Sequence, residues 1–591
     1  MPKPVRSYLI VPAAGAGEGM GHLARCLGLA EQMGPHVTFL TTRMDSAARA
    51  LLSTVISRMP AHARPRVLQR LSGSYEIILV DARASSQMEL EQLMRHGLVV
   101  SMDEGGEAAR YASFLVDAIP GLPGTRPANR TSVGFLPLPR RARSAITLPP
   151  KKVLISFGGE DREDLSGKLL DRLLLGRVFR CDQITVVEGP LFGVREWPAG
   201  ITLVRGSTGL GPMLSDFDLV ITHFGITAFE SLAVGVPVIL LNPSRYHEKL
   251  AHAAGIPSLG VASPDMRRLR RLLARPAELA TPVTTLNAAL GKERGKQLGR
   301  LLETLQVHGS AQCPVCGRGG NAVTARFEDR TYRKCPRCGI VSLESFATHQ
   351  MKYGEEYFSS EYKAQYGRTY LEDFDAIKRA SVPRVRLVKE LSGKNVDGAV
   401  VDIGCAYGPF LDAAREAGLP GYGVDVSSGA VSYVRKKLGI PALCASFESV
   451  ARGSLPRRIR AITMWYVIEH FTGTDLVLRK AASLLPPGGV FAFSTPNGRG
   501  ISGRLDPLRF LKNSPADHFT VFSPRGLRRL LSGYGLELRA VRVTGHHPER
   551  FPGILGRSAD QHPGLYRLVR GMSKLFGLGD TFEAYAVKAE Q

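Results

Sequence analysis

Three groups of residues in this 591-residue chain have the types and spacing that chemistry requires. CPVCG (313–317) and CPRCG (335–339) are two C-x-x-C knuckles. Cys313, Cys316, Cys335 and Cys338 offer four thiolates at the spacing of a tetrahedral Zn²⁺ site. Four thiolates fill the coordination sphere, so the expected ion is structural and folds a segment too small for its own core. The second group is VDIGCAYGPFLDAAREAG (401–418), a strand, a turn and a helix. Gly404 and Gly408 let the backbone approach a ligand closely. Asp402, at the strand end, can accept a hydrogen bond from an amine. Asp425 ends the next strand in GYGVDVS, where a carboxylate can hold two ribose hydroxyls. A dinucleotide fingerprint needs glycine at 404, 406 and 409, but Ala406 and Pro409 stand at the last two.

The third group opens the chain. GEGMGHLARCLGLA (17–30) places Gly19, Gly21, His22 and Arg25 at a strand-to-helix turn, which is an anion site. Gly19-x-Gly21-x-x-Ala24 fits a loose dinucleotide fingerprint, but the next strand ends in Thr41-Thr42-Arg43 without the acid that pattern needs. Further on, DLVITHFGITAFESLAVGVPVILLN (218–242) sets Gly225 and Thr227 at a strand end, with Glu230 one turn into the helix. A carboxylate there can bind ribose hydroxyls while the helix N-terminus faces a pyrophosphate.

These residues need a scaffold of strand ends. Apolar runs at 8–12, 36–42 and 75–82, then 152–157, 183–187, 201–204, 218–222 and 237–242, alternate with helical periodicity. The same alternation returns at 399–404, 421–426, 461–466 and 490–495. It predicts an α/β chain with three parallel-sheet units. GKERGKQLGRLLETL (291–305) reads as a closing helix, and the Pro/Arg-rich stretch 122–152 as an interdomain connection. The final 35 or so residues give no clear pattern. No apolar run approaches 18 residues, so no transmembrane helix is expected. The N-terminal apolar stretch runs straight into a glycine-rich loop and reads as a strand, not a signal peptide. The scattered cysteines read as reduced thiols, and the expected location is cytoplasmic.

Residues 350–550 resemble class I S-adenosylmethionine-dependent methyltransferases, with D-x-G-x-x-x-G as a form of their first motif. TMWYVIEHF (463–471) and LLPPGGVFAFSTPN (484–497) are similar to the family's fourth and fifth strands. The resemblance implies that Asp402, Gly404 and Gly408 surround the donor's methionine end. Asp425 would hold its ribose, and Trp465 or Tyr466 would lie near the sulfonium. His470 and His518 are the candidate bases, with His546-His547 a third; Glu469 reads as structural. The aromatic stretch 353–374 would either line an acceptor cleft or pack as an N-terminal cap.

Residues 5–305 resemble the two halves of the GT-B fold. G-x-G-H-x-x-R-C and SFGG (156–159) are most similar to UDP-sugar hydrolases of pseudaminic acid biosynthesis. The second-half motif is shared with lipid-II-type N-acetylglucosaminyltransferases. The resemblance implies that His22 activates water or an acceptor hydroxyl, Gly21 lets the backbone approach substrate, and Thr227 and Glu230 hold the nucleotide. Tyr246-His247-Glu248 could contact substrate. His223-Phe224 departs from the small residues usual before the nucleotide turn. VDAR (80–83) lacks the histidine that often follows its Asp.

The expected architecture is two Rossmann-like GT-B halves (1–145 and 150–307), a zinc ribbon (308–345) and a class I methyltransferase (346–591). The expected function is bacterial glycan or nonulosonate metabolism: hydrolysis or glycosyl transfer from a UDP-sugar, and methylation of a sugar or glycan acceptor. S-adenosylmethionine and structural Zn²⁺ are the expected cofactors. The charge, 77 − 53 = +24, asks for anionic partners. It also admits a zinc-ribbon RNA methyltransferase, or a methyltransferase with a non-catalytic sugar-nucleotide module. The GT-B half has no role on RNA, so no nucleic-acid partner is expected. Arg-rich stretches such as 266–276 read as solvated faces.

Overall fold

The computed structural model describes residues 6–15, 18, 20–119, 127–140, 142–143, 145–159, 161, 163–189, 192, 195–205, 210–290, 297–347, 358, 360, 362–393, 396–553 and 562–590, without the side chains of 365 and 366. The chain forms two compact units, Met1–Leu305 and Gln306–Gln591.

The first unit carries two all-parallel sheets. In one, the strand order is Arg66–Leu68, Val37–Leu40, Tyr8–Pro12, Ile77–Asp81, Leu98–Met102, Phe114–Asp117, Arg130–Thr131. In the other it is Thr202–Arg205, Ile184–Glu188, Val153–Ser156, Leu219–Thr222, Val238–Asn242, Ser258–Val261. YLIVP, IILVD and VILLN are buried at every position, as strands covered by helices on both faces must be. The order reverses between Tyr8–Pro12 and Ile77–Asp81, and again between Val153–Ser156 and Leu219–Thr222. At such points the loops part and leave a crevice beyond the strands' carboxyl ends.

Two sequence expectations need adjustment. The 122–152 stretch is not merely a connection. Arg130–Thr131 adds an edge strand to the first sheet, and Phe135, Leu136 and Leu138 are buried. Its prolines are compatible because an edge strand of two residues needs few ladder donors. Of the helix expected over 291–305, Gln297–Thr304 is observed; 291–296 lie outside the described residues.

The second unit centres on a seven-stranded sheet ordered Ala442–Cys444, Gly421–Asp425, Ala399–Ile403, Ile459–Trp465, Val490–Pro496, Thr581–Lys588, Leu536–Thr544. The last two strands are antiparallel to their neighbours. Thr581–Lys588 thus inserts the unpatterned C-terminal stretch between two earlier strands. The cysteine-bearing stretch forms a small antiparallel sheet from Val323–Phe327, Arg330–Lys334, Val341–Ser345 and His308–Gly309. Thr520–Val521 pairs with Val341 and Ser342 of that sheet. Cys313, Val315, Cys335 and Ile340 are buried in one cluster with Val401, Met464 and Phe493. The knuckles therefore share the core of the large sheet.

Candidate functional site

The large sheet reverses its order between Ala399–Ile403 and Ile459–Trp465, and the glycine turn leaves the first of these. Gly404 has φ +67, and a Cβ there would lie 2.4 Å from Val467 Cγ2. Only glycine meets both demands. Ala406 is left-handed as well, at φ +48, a strain that cross-strand bonds must hold. Its N–H donates to Asp425 Oδ2 at 2.8 Å, and the Ser427 N–H donates to Oδ1 at 2.8 Å. Asp425 thereby ties the turn to the neighbouring strand, and a carboxylate retains lone pairs for further donors. Gly408 caps the start of helix Pro409–Glu416.

Asp402 is buried, and the Thr463 hydroxyl donates to its Oδ1 at 2.6 Å. Burial pushes Asp402 up to about 7, against the pull of Thr463 and Arg384 and helped by Asp425. Burial also raises Asp425, against the Ser427 and Ala406 amides. Two desolvated carboxylates beside a glycine turn suit a ligand that brings its own donors or positive charge.

Trp465 packs 5.1 Å from Phe410 and 6.1 Å from Tyr585, centroid to centroid, with the Arg384 guanidinium 4.5 Å from its ring centre. Arg384 is paired with Glu583 at 2.7 Å. Tyr466, rather than Trp465, is the exposed aromatic at this strand end, and it is held at φ +59. Phe358 and Tyr370 pack on Tyr407 beside Ala406 and Ala430, with Phe358 and Tyr407 centroids 5.1 Å apart. Of the two readings of the aromatic stretch, these side chains form a cap over the turn. Residues 353–357, 359 and 361 lie outside the described residues.

His470 and His518 form one cluster, their rings nearly perpendicular and 4.6 Å apart. His470 Nδ1 lies 3.2 Å from Asp517 Oδ2. Burial pushes His470 down, but the Asp517 and Glu469 carboxylates outweigh it and the net shift is upward. Burial and the neighbouring His470 charge push His518 down to about 3. The cluster therefore pairs a more basic imidazole, His470, with a much less basic one, His518. Glu469 is buried and pushed up to about 7. Its ligand atom and those of both histidines lie within 4.8 Å of one another. His546 is engaged at both nitrogens, by Ser573 Oγ at 2.8 Å and the Val543 carbonyl at 3.1 Å, and is structural.

The four cysteine sulfurs also lie within 4.8 Å of one another. Cys313 and Cys338 are 3.5 Å apart and Cys316 and Cys335 3.6 Å. Metal–sulfur bonds of about 2.3 Å imply tetrahedral edges of about 3.8 Å. The donor set therefore fits a four-coordinate ion.

In the first unit, helix Gly21–Met33 begins at the strand reversal and carries His22 and Arg25. His22 Nδ1 sits 2.7 Å from Asp81 Oδ1. Arg25 donates Nε to Asp81 Oδ2 at 2.5 Å, and its other nitrogens to Asp81 Oδ1 and Asp103 Oδ2. Asp103 Oδ1 accepts the Ala118 N–H at 2.8 Å. Burial alone would raise Asp81, but Arg25 and His22 prevail and hold its carboxyl well below the usual range. With Nδ1 so engaged, Nε2 is the nitrogen left to meet a ligand. A Cβ on Gly21 would touch Ile226 Cδ1 at 3.5 Å, so this turn faces the Gly225–Thr227 helix start. Gly17 and Gly19 lie outside the described residues. Burial pushes Glu230 up to about 7.

His223 and Phe224 have structural reasons to be large. Phe224 packs edge-on against Phe229, and His223 sits 6.3 Å from Phe157 and 6.0 Å from His247. Burial lowers both histidines to about 4. Glu248 accepts from Asn242 Nδ2 at 2.7 Å and Ser258 Oγ at 2.6 Å, which makes it structural, while Tyr246 is exposed. Sequence reasoning missed the roles of Asp81, Asp103, Thr463 and Asp517. The available signal for the first two was an acid at or just beyond the carboxyl end of a buried strand.

A family model described as a methyltransferase domain matches residues 376–541. The ubiquinone biosynthesis O-methyltransferase of Serratia proteamaculans is 23% identical over 199 residues, which are 32% of this chain and 82% of that protein. Its namesake in Chromobacterium violaceum is 24% identical over 160 residues, 25% of this chain and 68% of that protein. A solved S-adenosylmethionine-dependent methyltransferase from Thermotoga maritima is 20% identical, covers 37% of this chain and 94% of that one, and has a TM-score of 0.26. The glycine turn and its two carboxylates lie within that matched segment, a class I S-adenosylmethionine-dependent methyltransferase domain.

Proposed function

We propose that the second unit methylates a sugar or glycan acceptor, and that the first hydrolyses a UDP-sugar or transfers its sugar. The observation that carries the methyl-transfer half is the Asp402–Gly408 turn tied to Asp425 within the matched segment. Bound there, S-adenosylmethionine supplies an electrophilic methyl group. Asp402 would hold its ammonium and Asp425 its ribose hydroxyls, and the Phe358–Tyr370–Tyr407 cap would keep water off the turn. The His470–His518–Asp517 cluster takes the acceptor's proton. Transfer then needs mainly alignment of acceptor and donor.

For the first unit the supporting observation is His22 held by Asp81 at a strand reversal. Nε2 of His22 draws a proton from water or an acceptor hydroxyl, which attacks the anomeric carbon as the nucleoside diphosphate leaves. Gly21 allows close approach, and Gly225, Thr227 and Glu230 hold the nucleotide. Zn²⁺ on Cys313, Cys316, Cys335 and Cys338 is structural.

Calorimetric titration with S-adenosylhomocysteine tests the donor site. Wild type should bind, and Asp425→Ala should bind at least tenfold more weakly, because two donors to one carboxylate are lost. Equal affinity would remove Asp425 from the site.

A further inference from the structure

The C-terminal helix Pro563–Leu575 carries an apolar stripe that the fold does not use. Val569 and Ser573 are the buried positions of this helix. Leu568, Met572, Leu575 and the following Phe576 repeat at i, i+4, i+7 and i+8, so they share another face, and all four are exposed. Leu575 is 81% exposed and Phe576 62%. A single exposed leucine is ordinary, but a contiguous stripe on one helix marks an interaction surface.

The charge on the helix selects the occupant. PGLYRLVRGMSKL contains Arg567, Arg570 and Lys574 and no acid. Arg570 and Lys574 line a cavity of about 430 Å³ with Val541, Val543 and His546 along the edge strand Leu536–Thr544. A second copy of this chain docked stripe to stripe would bring like charges together. A surface that is apolar beneath and anionic above complements the helix instead, with the long cationic side chains reaching its headgroups. No described helix is long and apolar enough to cross a membrane, so the contact lies in the interface plane. We propose that Pro563–Phe576 docks this protein on an anionic lipid surface through Leu568, Met572, Leu575 and Phe576. An acceptor carried on a lipid would then be met at that surface.

The test uses the full-length protein and sedimentation with phosphatidylcholine vesicles, with and without phosphatidylglycerol. Wild type should bind the acidic vesicles and bind several-fold less at high salt, as each cation near such a surface contributes about fivefold. Leu568→Ser with Leu575→Ser should lower binding at least tenfold, with S-adenosylhomocysteine affinity and melting temperature unchanged. Arg570→Glu with Lys574→Glu should lower it about as much. Absence of binding to acidic vesicles at low salt would overturn the proposal. So would undiminished binding by the leucine variant, or a concentration-dependent dimer that this variant abolishes while vesicle binding persists.

Discussion

Asp81 and Asp402 occupy matching places in two unrelated parts of the chain. Each lies at the carboxyl end of a parallel strand bordering the point where its sheet reverses order, and each is buried. Their electrostatics are opposite. Asp81 is clasped by Arg25 and His22 and stays ionised; Asp402 has a hydroxyl donor and a distant guanidinium, and burial pushes it up to about 7. The same strand-end acid thus serves two ends. With a built-in cation it stays charged and holds a histidine ring. Without one it keeps a demand for donors that a ligand can meet.

The largest effect that could break this contrast is at Asp81. Asp81→Asn should cut UDP-sugar turnover by about 10²-fold or more, since a misheld imidazole is a poor base. It should also destabilise the first unit by about 3 kcal/mol, because Arg25 loses one of its buried partners. Wild-type turnover and melting in that variant would show that the clasp does nothing for His22. Next in size is the four-cysteine cluster. Chelation, or Cys316→Ser, should lower the melting temperature of the second unit by about 10 °C and leave the first unit's transition in place, since the knuckles pack into the second unit's core.

Asp402→Asn sharpens the contrast through pH. The folded carboxyl titrates near 7, above its unfolded value of about 3.9, so the folded state binds the extra proton between those values. Stability falls as pH rises through that window. The Asn variant should therefore be more stable than wild type at pH 8, by up to about 4 kcal/mol, and close to it at pH 4, while losing cofactor affinity. Asp81 has the reverse sign: its depressed value gives stability above about pH 4 that is lost on further acidification. Denaturant melts at the two pH values separate the cases. A smaller effect is expected at Glu230, where Glu230→Gln should add stability at pH 8 and weaken nucleotide binding. Unchanged nucleotide affinity would leave Glu230 a structural role.

What the sequence disclosed follows the range of the interactions. The Asp402–Gly408 turn and the four cysteines are local patterns, and spacing alone brought each set together. The His22–Asp81 contact spans 59 positions and depends on which strands are neighbours, which no local pattern encodes. His470 and His518 read as two separate candidates for the same reason, yet they touch. Thr520–Val521 is too short to announce itself as a strand, and it is what pairs the methyltransferase segment with the cysteine-bearing sheet. The C-terminal strand Thr581–Lys588 gave no signal because both of its faces are buried, which erases polar–apolar alternation.

The central claim is that one chain carries two chemically distinct sites, and a crossed pair of variants tests it most directly. Wild type, His22→Ala and Asp425→Ala would each be incubated with a UDP-sugar panel, glycan acceptors and S-adenosylmethionine, and all products weighed by mass spectrometry. The account predicts that wild type releases the nucleotide and adds a methyl group, that His22→Ala loses only the first reaction, and that Asp425→Ala loses only the second. A wild type that turns over no UDP-sugar, or a variant that loses both reactions while folded, would contradict it.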